Sequence, residues 1–239
     1  MKKIFVTGCT GYIGSHTCVE LLENGYKVIG LDNFSNSKRE VLEKIKEITG
    51  KEIKFYEGNM LNKDLLHKIF SENKIDGVID FAAYKSVGDS VNIPIEYYTN
   101  NVSSVLILLS VMKDYGIKNF IFSSSATVYG DAKVMPITEE TPIGGTTNPY
   151  GTSKLFCENI LSDLYKSDSN WNICIFRYFN PVGAHKSHLI GEEPNGIPAN
   201  LMPFISKVAT KELNWKAELG LEDMCYDAYM FTKNNNNNK

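Results

Sequence analysis

The segment Thr7-Gly8-Cys9-Thr10-Gly11-Tyr12-Ile13-Gly14 constrains this chain more than any other. It follows the apolar run Ile4-Phe5-Val6, part of a strand expected over residues 3–7, and opens a helix expected over 12–24 that stops at Gly25. Glycines between a strand and a helix permit a tight turn and close backbone approach, and the helix start offers free N–H groups and the positive end of the helix dipole. The spacing is G-x-x-G-x-x-G, a variant of the G-x-G-x-x-G dinucleotide fingerprint with the same physics, and it predicts a pyrophosphate cradle.

The rest of the first 180 residues keeps the alternation that this opening starts. Strands are expected over 27–31, 53–56, 77–81, 119–123 and 172–177, and helices over 38–47, 63–71, 95–115 and 150–166. Strands alternating with helices predict an α/β fold: a doubly wound parallel sheet of Rossmann-like type, with ligands beyond the carboxyl ends of the strands. From Pro181 the pattern loosens into Gly-, Pro- and Asn-rich loops around the apolar segment 201–208. The expected organisation is a cofactor domain over 1–180, a small, incomplete C-terminal substrate lobe over 181–233, and a disordered tail over 234–239 carrying the asparagine run.

Bulk properties exclude several classes. Net charge is −3, from 25 basic and 28 acidic residues, which gives no general basis for nucleic-acid binding. The longest apolar run, 105–112, is too short to cross a bilayer, and Ile4-Phe5-Val6 ends too soon for a signal sequence, so no membrane association is expected. The five cysteines, Cys9, Cys18, Cys157, Cys174 and Cys225, contain no C-x-x-C pair, which fits reduced thiols and a cytoplasmic setting. His185-Lys186-Ser187-His188 has the spacing of one metal pair but no carboxylate or cysteine partner in sequence, and no metal is expected.

Two further features point to chemistry. Asp32 ends the second expected strand, 18 residues past Gly14. A carboxylate there accepts bonds from ribose hydroxyls and repels a 2′-phosphate, favouring NAD over NADP, although Asp32-Asn33 also suits an ordinary turn. Tyr150 and Lys154 stand four apart at the start of a helix and so share a face. A nearby ammonium favours the phenolate of a tyrosine whose ordinary pKa is about 10, making a proton-transfer group for an alcohol or sugar hydroxyl. Tyr-x-x-x-Lys alone is a weak signal; its weight comes from the glycine loop, Asp32 and Ser123-Ser124-Ser125 upstream.

With these residues the chain resembles the extended short-chain dehydrogenase/reductase family. The resemblance is carried by Gly11-Tyr12-Ile13-Gly14-Ser15-His16, Leu31-Asp32-Asn33, the stretch from Ala83 to Ser90, the stretch from Asn119 to Gly130, and Arg177-Tyr178-Phe179-Asn180-Pro181-Val182-Gly183-Ala184-His185. The last two stretches are similar to the branch that acts on UDP-hexoses in galactose metabolism. That resemblance implies an isomerase using tightly held NAD to interconvert UDP-glucose and UDP-galactose through transient oxidation at C4. It implies that Tyr150 is base and acid at the 4-hydroxyl, that Lys154 binds the nicotinamide ribose, and that Ser125 bonds the 4-hydroxyl. It assigns Gly8, Gly11, Tyr12, Ile13, Gly14, Asp32, Asn33, Asn59, Met60, Phe81, Ala82, Lys85, Asn100 and Phe179 to the NAD site. Ser125, Tyr150, Asn180, Asn200 and Leu201 would meet the UDP-hexose, and residues 96–115 and 152–166 would form a homodimer.

Departures from the family pattern qualify this. Asn59 stands where the family usually has aspartate, at an adenine contact, which predicts altered but not abolished NAD binding. After Ala209 the chain passes straight to Thr210-Lys211-Glu212-Leu213-Asn214-Trp215, so roughly a hundred residues of the usual substrate domain are missing, more than a loop deletion. Arg39 and Arg177 are the only arginines, so none replaces the family's UDP-gripping ones. A cofactor-binding protein without turnover is therefore the alternative. Dehydration chemistry is disfavoured, since Ala126 and Thr127 stand where it needs an acid and a base.

Overall fold

A computed structural model of the chain describes residues 1–195. The sites expected at Asn200 and Leu201, the apolar segment 201–208, Cys225 and the asparagine run lie outside the described residues. The elements run β1 (Lys3–Thr7), α1 (Tyr12–Glu23), β2 (Lys27–Asp32), α2 (Glu40–Thr49), β3 (Lys54–Glu57), α3 (Lys63–Glu72), β4 (Gly77–Asp80), α4 (Val87–Asn92), α5 (Pro94–Tyr98), a π turn (Thr99–Ser103), α6 (Ser104–Asp114), β5 (Asn119–Ser125), a 3-10 turn (Ala126–Tyr129), α7 (Pro149–Ser167) and β6 (Asn172–Tyr178). The six strands form one wholly parallel sheet in the order β3-β2-β1-β4-β5-β6. The order reverses between β1 and β4, and in sheets of this kind ligands bind outside the carboxyl ends of the strands at such a switch point.

Two apolar cores explain the layering. Phe5, Val78, Phe120 and Phe122 point to one face and pack with Leu66 and Ile69 of α3, Leu108 and Met112 of α6, and Leu161 of α7. Val6, Val28 and Ile79 point to the other face and pack with Cys18, Val19 and Leu22 of α1 and Ile45 of α2. Helices on both sides let the central strands read as continuous apolar runs, as buried parallel strands do. Local chemistry sets the helix ends. Asn62 caps α3 by accepting from Leu65 N at 3.0 Å, Asn148 caps α7 by accepting from Gly151 N at 2.8 Å with Pro149 in the first turn, and Gly50 ends α2 at φ +67°.

The helix expected over 95–115 is not one regular α-helix. It is α5, the π turn and α6, preceded by a separate short helix, α4, that periodicity did not reveal. Asn101 supplies the reason for the π turn. It is 2 % exposed and its side chain accepts from Tyr84 N at 2.8 Å and donates to Tyr84 O and Ser153 Oγ at 3.0 and 3.1 Å. A polar side chain inserted into a tertiary network fixes the local wind of a helix, and π turns are commonest at such places.

Residues 183–195, expected to open the C-terminal lobe, pack onto the sheet domain. Tyr12 OH donates to Gly183 O at 2.8 Å, Ile190 joins the core beside α1, Lys38 pairs with Glu193, and Lys85 pairs with Glu192 at 3.0 Å. Lys38-Arg39 precedes α2 rather than starting it, and Arg39 pairs with Glu57.

Candidate active site

The glycine loop adopts the cradle its sequence predicts. Gly8 has φ +63°, and a Cβ on it would lie 2.9 Å from Ala82 N. A Cβ on Gly14 would lie 2.0 Å from Gly8 O. Gly11 caps α1 with no side-chain acceptor, so the first turn presents backbone N–H groups beside the switch point. Asp32, at the end of β2, is 9 % exposed. Its Oδ2 accepts from Thr10 N at 3.0 Å and its Oδ1 from Phe34 N at 2.9 Å and Ser37 Oγ at 3.2 Å. The carboxylate therefore ties the glycine loop to the loop after β2.

Phe81 and Ala82 follow β4, and Asn59 and Met60 follow β3, all at the carboxyl ends of the strands. Phe81 N donates to Thr7 O at 3.3 Å and Ala82 N to Thr7 Oγ1 at 3.2 Å, which holds the end of β4 against the end of β1. Gly58 N donates to Asp32 O at 3.0 Å, bringing Asn59 beside the end of β2, where its Oδ1 accepts from Leu61 N at 2.8 Å. Met60 turns its side chain into the core, 5 % exposed, leaving its backbone toward the loop. Asn33 and Phe179 are exposed, and Asn100 is half-buried with its amide donating to Asn101 Oδ1 at 3.0 Å. The Tyr12 hydroxyl is pushed toward higher pKa, chiefly by burial and secondarily by Glu192.

The elements that carry Ser125, Tyr150 and Lys154 are joined through neighbours that sequence reasoning did not single out. Ser125 ends β5 and is 7 % exposed; its Oγ accepts from Thr127 N at 3.2 Å and from Thr127 Oγ1 at 2.9 Å. Gly151 packs on Thr127 so closely that a Cβ there would lie 3.1 Å from the threonine Cβ. Thr127 thus links Ser125 to the start of α7, the helix that carries Tyr150. Lys154 is 4 % exposed; its ammonium donates to Ser123 O at 2.7 Å and sits 4.8 Å from the centroid of the Phe122 ring.

One turn further along α7, Glu158 is 4 % exposed and accepts from Ser124 Oγ at 2.5 Å. Arg177, near the end of β6, grips Glu158 through Nε and NH2 (2.8 Å to Oε2) and donates from NH1 to Tyr129 OH at 2.9 Å. Sequence reasoning used Arg177 only as part of a resemblance and missed Glu158 altogether. The available signal was the i, i+4 continuation from Lys154 to Glu158 along the face that Tyr150 and Lys154 share. Among the described residues no cluster of His, Cys, Asp and Glu could hold a metal ion, and no helix is long and apolar enough to cross a membrane. A groove of about 930 Å³, lined by Ile4, Asp76, Asn119, Trp171 and Cys174, lies at the amino ends of the strands, opposite the site. Its position rules it out as the crevice for the glycine loop.

A wholly parallel α/β sheet whose first strand passes through a tight glycine turn into a helix beside the switch point defines a dinucleotide-binding architecture. The chain belongs to the NAD dependent epimerase/dehydratase family, whose pattern matches residues 4–224. It is 58 % identical over 226 residues to a UDP-glucose 4-epimerase of Haemophilus influenzae, covering 95 % of this chain and 66 % of that relative. It is 53 % identical over 217 residues to the UDP-glucose 4-epimerase of Bacillus subtilis, covering 91 % of this chain and 64 % of the relative. The crystal structure of UDP-glucose 4-epimerase from Bifidobacterium longum in complex with NAD+ and UDP superposes with a TM-score of 0.87 at 57 % identity, over 88 % of this chain and 63 % of that one. The chain thus spans about two thirds of the length of the curated relatives it matches.

Proposed function

We propose that this chain binds NAD in the crevice between the glycine loop and Lys154 and, with a UDP-hexose, interconverts UDP-glucose and UDP-galactose. The observation that carries the reading is the tight glycine turn, where a Cβ at Gly8 or Gly14 would collide with backbone, on a domain in which Thr127 links Ser125 to the start of the helix carrying Tyr150 and Lys154. The residues fit the cofactor: free N–H groups at the start of α1 suit a pyrophosphate, and Asp32 suits the adenosine ribose. When bound, NAD would supply reversible oxidation at C4 of the sugar. Tyr150 takes the proton from the 4-hydroxyl and returns it, Ser125 orients that hydroxyl, and Lys154 holds the nicotinamide ribose. Asn180 would contact the UDP-hexose.

A second reading, NAD binding without turnover, is favoured by one fact: the chain spans 66 % of the Haemophilus relative, and a keto sugar needs a nucleotide anchor while it turns over. The deciding experiment incubates the protein with UDP-galactose and assays UDP-glucose, with Tyr150→Phe as control. Conversion that the control abolishes establishes the first reading; NAD retention without conversion establishes the second. A cytoplasmic setting is part of this proposal, supported by the unpaired Cys9, Cys18, Cys157 and Cys174. A homodimer through residues 96–115 and 152–166 is supported by Leu106 and Phe156, 48 % and 46 % exposed, with Phe156 stacked on Tyr98. A monomer in analytical ultracentrifugation would remove it.

A further inference from the structure

Asp80 closes β4 and is 2 % exposed. Its Oδ1 accepts from Thr7 Oγ1 at 2.5 Å, and Thr7 Oγ1 itself accepts from Ala82 N at 3.2 Å. The threonine proton is therefore committed to Asp80, which acts as the acceptor. Sheet register sets Asp80 between Thr7 of β1 and Phe122 of β5. The Lys154 ammonium lies over that same Phe122 ring and interacts electrostatically with Asp80. The groups facing the carboxylate are thus Thr7, Phe122, the Ala82 N–H, and Lys154 and Cys157 of α7. Lys154 is the cation among them, while burial pushes the Cys157 thiol up to about 12, leaving it neutral.

Burial raises the pKa of Asp80, and Thr7, Lys154 and the Ala82 N–H oppose that rise in decreasing order. A buried carboxylate carries a desolvation cost that an apolar residue of the same volume avoids, so its presence near a functional lysine points to an electrostatic task. Under the reading that this chain binds NAD, Lys154 holds the nicotinamide ribose, and Phe81 and Ala82, next in the chain after Asp80, line the same site. The oxidised nicotinamide ring is cationic and the reduced ring neutral, so a fixed negative charge nearby separates the affinities of the two forms.

We propose that Asp80, which shares the Phe122 ring as a neighbour with the Lys154 ammonium, is a positioning residue of the cofactor site that favours oxidised over reduced nicotinamide. The inference rests on the NAD-binding reading above. The test is isothermal titration of NAD and of NADH into the full chain and into Asp80→Asn, whose side chain still accepts from Thr7. The ratio of the NAD Kd to the NADH Kd is expected to rise about threefold or more in the variant, the size of one charge acting through a partly screened site. Equal changes for both nucleotides, or none, overturn the proposal. Asp80→Ser, small enough to admit water, serves if Asp80→Asn does not fold, with the same expectation. Failure of both variants to fold assigns Asp80 to stability and also overturns it. A wild-type protein that binds neither nucleotide fails the cofactor reading itself, and the inference falls with it; binding with an unchanged ratio in the variants removes the inference alone.

Discussion

Gly14 approaches Gly8 so closely that a methyl group on Gly14 would sit 2.0 Å from the Gly8 carbonyl oxygen. The obstacle is backbone, which cannot swing aside as a flexible side chain can. Gly14→Ala is expected to lower stability by about 2 kcal/mol and to weaken NAD binding at least tenfold, since the loop must open to admit the methyl group. Urea denaturation and calorimetric titration check the two effects. Gly88, where an added methyl group would meet no neighbour within 4 Å, serves as the tolerant control.

The ease with which this loop was read contrasts with what lay outside reach. Strand β1 and the starts of β2, α3, β4, β5 and β6 were legible because each begins where an apolar run meets a turn or a capping residue. The glycine loop was legible because its backbone demand is written in residue type. The π turn was not, since it depends on Asn101 finding Tyr84 and Ser153, partners 17 and 52 residues away. Glu158 escaped for the same reason: a charged residue on a helix reads as surface until Arg177 is known to face it.

The buried pair of Glu158 and Arg177 gives a second prediction. The glutamate side chain is 3 % exposed and the arginine side chain 22 %. Arg177→Met strands the carboxylate and is expected to cost about 3–5 kcal/mol, and Glu158→Gln should be milder because its amide oxygen still accepts from the guanidinium. The double variant is expected to cost less than the sum of the two, since removing both charges leaves neither stranded. Chemical denaturation of the four proteins completes the cycle.

Acid sensitivity has an identifiable contributor. Lys118 Nζ donates to Asp168 at 2.7 Å, and that bond, with further donors from Asn170, holds the Asp168 carboxyl down to about 2. Its ordinary pKa is about 3.9, so as pH falls from about 4 toward 2 the unfolded chain takes up this proton before the folded one does. The contribution is present above pH 4 and lost as pH falls through that window. Melting temperatures of wild type and Asp168→Asn should therefore differ at pH 5 and converge near pH 2. A constant difference across that range would place the effect elsewhere.

Thiol chemistry should divide by burial. Cys9, Cys18 and Cys157 are buried, and burial pushes each thiol upward, whereas Cys174 lies exposed on β6. Thiolate is the reactive form, so Cys174→Ser is expected to remove one equivalent of rapid labelling by a disulfide reagent, and Cys9→Ser, Cys18→Ser or Cys157→Ser none. Absorbance of the thiolate that the reagent releases gives the count directly.

The π turn at Thr99–Ser103 acts as an angular spacer. One added residue retards a helix by about 100°, a little over a quarter turn. Asn101, inside the turn, meets Ser153 on the helix that carries Tyr150, and the winding after the turn aims Val105, Leu108 and Met112 at the sheet. Deleting one residue between 99 and 103 would therefore turn a core-facing stripe toward solvent without changing the identity of a single apolar side chain.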